Sequence, residues 1–327
     1  MDPITRQELE RFAPEWDKRA AADEAADPFC SRSAWSLAFH DAFESGRSLY
    51  WLRSETSCVV LAESRRPNSR GLLEPLENMW GFASPLIGSG ADVLLVEALN
   101  HRPRPVLLLG APSHGDALGR FMELFQGKAA FKRLEPTTRY VASLEGGLDA
   151  WLARRSVSFR RNLRSAARRS ERAGLTFRRF APTSSSDFEW LYQGLMDVES
   201  RSWKGRAGEG ADQEPMRSFY AGLLPRLQAS GALRMILAEQ GSQLVGYLHG
   251  GVVGSHFRGL QFSFDETLRS IGVGHLMQLE MLDWLAESGI QTYDLGGQSS
   301  YKARWAEEAR RSENILIVPQ PLFRDED

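Results

Sequence analysis

Three strand-like runs that follow one another almost without a break limit this chain's fold more than any other feature. They cover residues 233–239, 244–253 and 257–264. Gln240-Gly241-Ser242, between the first two, is a hairpin-length connection. The third run leads into Arg269-Ser270-Ile271-Gly272-Val273-Gly274 and a helical pattern over 272–287. A strand at 290–295, a short helix at 300–309 and a last strand at 314–318 complete a β-β-β-α-β-α-β order. Such an order buries a sheet beneath helices, so the fold class is α/β (α+β).

The junction after the third run carries the clearest chemistry. Two glycines at a helix start permit unusual φ values and close approach of the backbone. The first N–H groups of a helix have no internal partners, and with the helix dipole they form an anion site. A pyrophosphate fits that description, and Arg269 adds positive charge. The same glycines are also ordinary in a strand-to-helix turn, and spacing alone does not separate the two readings.

Upstream the pattern is less regular. Residues 1–27 read as a polar, alanine-rich lead-in, partly helical at best. Helical patterns follow at 29–43, 91–100 and 115–126, and strand-like runs at 49–52, 58–62, 105–109 and 139–144. The glycines and prolines of 65–90 predict loops and short strands there. Residues 148–173 read as one long helix rich in arginine, capped by Gly174. A strand at 175–180 and helices near 186–203 and 213–230 lead into the three-strand region.

With 327 residues the chain has the length of two domains, at roughly 100–200 residues each. A net charge of -2 predicts no general attraction to nucleic acid or to an anionic membrane, so any basic site must be local. Cys30 and Cys58 are the only cysteines, which suits a reducing compartment, and they form no metal-ligand spacing. Residues 1–27 lack the basic stretch and apolar run of a secretory leader. Apolar runs such as Val106-Leu107-Leu108-Leu109 are too short to span a bilayer. The expectation is a soluble cytoplasmic protein that needs no metal.

The Arg269-x-x-Gly272-x-Gly274 element resembles the coenzyme A pyrophosphate motif of GNAT acyltransferases. The chain around it is similar to one branch, the Fem-like or cellulose-biosynthesis-type (CelD-like) acetyltransferase domains. The resemblance rests on the arginine-rich helix Phe159-Arg160-Arg161-Asn162-Leu163-Arg164 and on Glu199-Ser200-Arg201-Ser202-Trp203-Lys204-Gly205. It rests also on Asp294-Leu295-Gly296-Gly297 and Tyr301-Lys302-Ala303-Arg304-Trp305. It implies a double GNAT-like fold, two mixed-sheet lobes flanked by helices. Residues 1–145 would be a degenerate N-terminal lobe and 146–327 the acyltransferase domain.

The activity implied is an N-acyltransferase that moves an acetyl or other acyl group from acyl-CoA, as co-substrate, to a small-molecule or polymer amine. The same fold also serves a Fem-like aminoacyltransferase that draws on aminoacyl-tRNA, or a non-catalytic binding protein. The retained Arg-x-x-Gly-x-Gly element favours the first. Cofactor contacts would come from Phe264, Arg269, Ser270, Ile271, Gly272, Val273 and Gly274. Tyr301 is the candidate general acid, since a tyrosine at about pKa 10 can protonate a departing thiolate of about 8.5; its alternative is a packing residue. Glu199 and Asp265 are candidate bases. Trp203, Lys204, His249 and Lys302 are candidate substrate contacts, each with a packing or surface alternative. The basic helix is a solvated face, a seat for the 3′-phosphate of coenzyme A or an anionic acceptor, or a grip on the acceptor arm of a tRNA.

Overall fold

Thr5 starts the first helix with a reciprocal cap. Its hydroxyl accepts from Glu8 N at 3.1 Å, and the Glu8 carboxylate accepts from Thr5 N at 2.7 Å. Helices α1 (Arg6–Arg11) and α2 (Ala13–Ala22) follow. Leu9, Trp16 and Ala20 are buried in a core with Leu37, Leu49 and Val60. The expected polar lead-in is thus a packed helix pair, whose few apolar residues recur at helical spacing among alanines and charges. The structure, a computed structural model, describes residues 1–113 and 117–320.

The chain forms two compact units, Met1–Thr138 with the segment that begins at Arg310, and Arg139–Ala309. In the first, α1 and α2 precede α3 (Ser33–Phe43), β1 (Leu49–Arg53), β2 (Cys58–Glu63), β3 (Leu73–Glu74), β4 (Leu86–Ile87), α4 (Ala91–His101), β5 (Val106–Pro112), α5 (Ala117–Leu124) and β6 (Ala129–Arg133). Of the helix expected at 115–126, residues 115 and 116 lie outside the described residues. Strand β6 was not expected; its Ala-Ala-Phe-Lys-Arg run is largely exposed and carries little apolar signal. Antiparallel pairing joins β1 to β2 and β2 to β3 and β4, while β3 and β5 run parallel. Helix α4 buries Leu95, Val96 and Leu99 against Val59, Leu61, Val106 and Leu108 of this mixed sheet.

The second unit contains β7 (Thr137–Ser143), α6 (Gly147–Ala153), α7 (Val157–Arg172), β8 (Leu175–Phe180), α8 (Ser185–Arg201), α9 (Trp203–Arg206), α10 (Met216–Ala229), β9 (Leu233–Gln240), β10 (Gln243–Val253), β11 (His256–Phe264), α11 (Val273–Glu287) and β12 (Thr292–Gly297). Its strands lie in the order β7-β12-β11-β10-β9-β8. All neighbours are antiparallel except β11 and β12. Gly241 takes the left-handed φ of 61° that the β9–β10 hairpin needs. Leu248, Val273, Met277, Met281, Leu282 and Tyr293 pack together where α11 covers the sheet.

Two expectations change in this unit. The long helix over 148–173 is broken into α6 and α7. Ser156 is extended at φ -61° and ψ 154° and accepts from Phe159 N at 3.2 Å, which caps α7. Arg155 turns back over the Trp151 ring at 4.5 Å and pairs with Glu307, which holds the break. The helix expected at 300–309 is only a 3-10 turn, Lys302–Arg304. The chain then becomes β13 (Glu308–Pro319), which from Arg310 belongs to the first unit and pairs there antiparallel with β5 and β6. No helix of the described residues is long and apolar enough to cross a membrane.

Trp151 anchors the second unit. It is fully buried and stacks on Trp305 with ring centroids 5.3 Å apart. Trp151→Ala is expected to lower the unfolding free energy in urea by about 3–5 kcal/mol. Val157→Ala, at a side chain 69% exposed, should change it by less than about 0.5 kcal/mol. Equal effects of the two would show that the Trp151–Trp305 stack is not where the unit is held.

Candidate functional site

Strands β11 and β12 pair over only three positions, His256 with Thr292, Phe257 with Tyr293 and Arg258 with Asp294. Beyond them β12 keeps its pairing with β7, while residues 259–264 of β11 have no partner strand on that side among the described residues. Ionic contacts fix the point of parting. Asp294 Oδ2 is 2.6 Å from Arg139 of β7 and 2.9 Å from Arg258 of β11. Its Oδ1 accepts from Gly296 N at 2.7 Å, which holds the start of the glycine loop. On the other side of β11, the register with β10 shifts between His249 and Gly250, a bulge that bends the strand away.

A cavity of about 170 Å³ occupies the opening. Lys204, His249, Gln261, Gln278, Tyr293 and Lys302 supply its polar lining. The structure therefore gathers three of the expected substrate contacts. Lys204 donates to Phe262 O at 2.8 Å, on the strand that has lost its neighbour. The Lys302 ammonium has no hydrogen bond or ion pair among the described residues; burial, then the charge of Arg258, pulls its pKa down to about 8, against the pull of Asp294. His249 is 1% exposed and its Nδ1 has no partner. Burial, then Lys204, pushes its pKa down to about 3, so the ring is neutral.

Tyr301 is not among the lining residues, but it packs beside one of them, Phe262. Its ring is 5.8 Å from that of His275 and 5.7 Å from that of Phe262. The hydroxyl is buried and makes no well-formed hydrogen bond among the described residues. Burial raises its pKa, with Gln278 and Arg304 opposing.

The two carboxylates named from sequence are engaged. Glu199 is fully buried and accepts from Tyr247 Oη at 2.5 Å, Gln261 Nε2 at 3.1 Å and Ala211 N at 3.1 Å. Asp265 accepts from Thr267 N at 3.0 Å and from Arg201 Nε at 2.9 Å. Burial raises the Asp265 pKa, but Thr267 and Arg201 outweigh it and hold the carboxyl below its usual value. Trp203 does not reach the cavity and is 52% exposed at the start of α9.

The glycine loop has a packing explanation. Gly272 caps α11 at φ 88°, and a Cβ there would stand 3.1 Å from Ala166 of α7. A Cβ on Gly274 would stand 3.0 Å from the Phe264 ring and 3.1 Å from that of Phe262. Both positions are thus confined by α7 and by β11. Ser270 and Ile271 belong to the 3-10 turn Glu266–Ile271, and Val273 is fully buried. Arg269 is 73% exposed and pairs with Glu266 at 2.8 Å. The cation nearest the helix start is Arg169, which donates to Ile271 O at 3.1 Å.

Helix α7 itself carries Arg160, Arg161, Arg164, Arg168, Arg169 and Arg172 and one acidic residue, Glu171. Leu163, Ala166 and Ser170 face inward, while Arg161, Arg164, Arg168 and Arg172 are exposed. None of these arginines has an acidic partner among the described residues. Arg258, Gln261, Gln278 and Tyr293 were not anticipated. An arginine inside a strand of a buried sheet was the available signal for the first. Among the described residues no group of three side chains is placed to hold a metal ion.

Residues 157–303 match a family model described as "Acetyltransferase (GNAT) domain". No curated protein matches the chain. Among solved structures, the chain is similar to FemX at 14% identity and a TM-score of 0.64, over 99% of each chain. It is similar to a conserved protein of unknown function from Bacteroides thetaiotaomicron VPI-5482 at 9% identity and a TM-score of 0.59, over 97% of this chain and 98% of that one. It is similar to L-PGS from Bacillus licheniformis at 14% identity and a TM-score of 0.56, over 96% and 92%. At such identities the likeness is one of fold, and over residues 157–303 the fold is that of the GNAT superfamily.

Proposed function

We propose that this chain is a Fem-like aminoacyltransferase, which takes its acyl group from an aminoacyl-tRNA and passes it to an amine. In this reading Arg139–Ala309 is the reacting unit and the other unit a degenerate GNAT-like lobe. The observation that carries it is the acid-poor arginine face of α7. Arg160, Arg164, Arg168 and Arg172 recur every four residues. Like charges at that spacing destabilise a helix by about 0.2–0.5 kcal/mol per pair, a cost that the helix's single carboxylate, Glu171, does not offset by an ion pair. The row is roughly 18 Å long at 1.5 Å per residue. At about 3.4 Å per phosphate along one strand it faces several phosphates, more than coenzyme A carries. Packing of α7 and β11 also accounts for Gly272 and Gly274 without a pyrophosphate.

In the transfer the amine nitrogen attacks the ester carbonyl, the C–N bond forms and the C–O bond to the ribose breaks. The amine loses a proton and the ribose oxygen gains one. The donor's carbonyl enters the opening between β11 and β12, where the edge of residues 259–264 faces it. Tyr301, its buried hydroxyl without a well-formed hydrogen bond, is the candidate proton donor to the departing oxygen. Glu199 and Asp265 serve as structural acceptors, since each already receives several hydrogen bonds.

A second reading, transfer from acyl-CoA, is favoured by the left-handed Gly272 at the start of α11, with Arg169 nearby at the end of the parted strand. Labelled acetyl-CoA and labelled aminoacyl-tRNA, offered with the same panel of small amines, separate the two. Transfer from aminoacyl-tRNA is the expected result, and transfer from acetyl-CoA alone would install the second reading. The double variant Arg164→Ala, Arg168→Ala should weaken tRNA binding equally for different charged tRNAs. It should also reduce the slope of log affinity against log salt by about 2. An unchanged slope would remove α7 from the phosphate path.

A further inference from the structure

The cavity between β11 and β12 is short of negative charge. Lys204 and Lys302 line it. Arg258 stands beside Lys302: a Cβ on Gly296 would lie 3.3 Å from Lys302 Nζ and 3.5 Å from the Arg258 guanidinium. Arg139 completes the basic set at Asp294. Among the described residues the carboxylates seen near these cations are Asp294 and Glu199, and neither belongs to the lining itself. Asp294 is shared by Arg139 and Arg258. Glu199 is 3.9 Å from Lys204 and already accepts from Tyr247, Gln261 and Ala211. Lys302 is left with none. His249, almost wholly buried and with an unpartnered Nδ1, adds a neutral donor on the same lining. Buried cations and buried polar nitrogens without partners are costly, and native sites complete them with a ligand or with water.

The cavity's shape says which part of a substrate enters. Its lining comes from both faces of the sheet. Leu248 belongs to the core beneath α11, whereas its neighbour His249 packs on Tyr220 and Tyr247. The space opens where β11 has lost its neighbour, and a buried histidine is part of its lining. A volume of about 170 Å³ holds roughly five or six water-sized groups, which suits a chain of a few carbons and not a nucleotide.

We propose that the transferred acyl group ends in a carboxylate, which Lys302 and Lys204 bind within this cavity with His249 as a further donor. This rests on the transferase reading, with the donor's acyl group entering the opening between β11 and β12. The chemistry is the same for a dicarboxylic acyl-CoA and for an acidic aminoacyl-tRNA. Neutral binders of equal length lack the anion that the two ammonium groups require, and a site built to pair a polar group rejects an analogue without it.

The test is a comparison of affinities, which needs no knowledge of the acceptor. Glutamyl and glutaminyl esters of one tRNA body form the first pair, and succinyl-CoA and butyryl-CoA the second. The full-length protein should bind the acidic member of at least one pair ten or more times more tightly than its neutral partner. Lys302→Met should bring that ratio close to one while changing the neutral member's affinity less than threefold. Equal affinity for acidic and neutral members in the unaltered protein overturns the inference and leaves the transferase reading standing. Binding of no member of either pair removes both. If Lys302→Met weakens acidic and neutral members alike, the lysine serves the reacting carbonyl and the carboxylate assignment fails.

Discussion

Everything proposed for the second unit depends on one carboxylate at the place where the sheet opens. Asp294 takes an arginine from β7, an arginine from β11 and the backbone N–H of Gly296. Those contacts tie three neighbouring strands together at the last position where β11 and β12 still pair. Beyond it β12 follows β7 and β11 follows β10, so the sheet divides without fraying. The apex of the opening is ionic and buried, with Arg258 4% exposed. An ion pair of that kind is a poor source of net stability compared with apolar packing. Its value here is geometric, since it fixes where the strands separate and which side chains face the gap.

The second consequence is electrostatic. Asp294 is neutralised by the arginines that hold the apex, so it offers little to Lys302, whose pKa falls to about 8 under burial and the charge of Arg258. Glu199 plays the same role one strand away. Its hydrogen bonds from Tyr247 and Gln261 link α8 to β10 and β11, which leaves it only a longer contact with Lys204. The carboxylates that shape the cavity are thus committed to building it. The positive charge remains for whatever enters.

The sequence made the sheet of this unit readable because local rules set it. A glycine turn separates β9 from β10, and Gly272 and Gly289 bracket α11 with left-handed φ values. The residues of the cavity were readable only one at a time. Lys204, His249 and Lys302 were singled out by residue type and by neighbouring motifs, but their meeting depends on the β11–β12 register and on its loss after Arg258. The pairing of Arg258 with Asp294 joins distant parts of the chain, and no local pattern announces it. The break between α6 and α7 was hidden for a different reason. No glycine or proline marks it, and a serine cap with a stacked arginine does the work that sequence rules assign to stronger breakers. Helix α2 was obscured by alanines that dilute its apolar stripe, and α1 by having a single apolar residue, Leu9.

Glycine at a helix start is where the reading of this chain turns. Spacing alone leaves Gly272 and Gly274 equally compatible with phosphate approach and with a tight strand-to-helix turn. The surroundings weigh on that balance, because a methyl group at either position would press on Ala166 or on the rings of Phe262 and Phe264. Helix α7 can lie so close to the start of α11 only because Gly272 has no side chain, while the missing side chain of Gly274 admits the rings of β11. That closeness places Arg169 against the carbonyl of Ile271 and turns the remaining arginines of α7 outward. Gly272, half of the pair that suggests a cofactor loop, thus also admits a basic helix beside the start of α11, and in the reading proposed above that helix is what meets the polyanion.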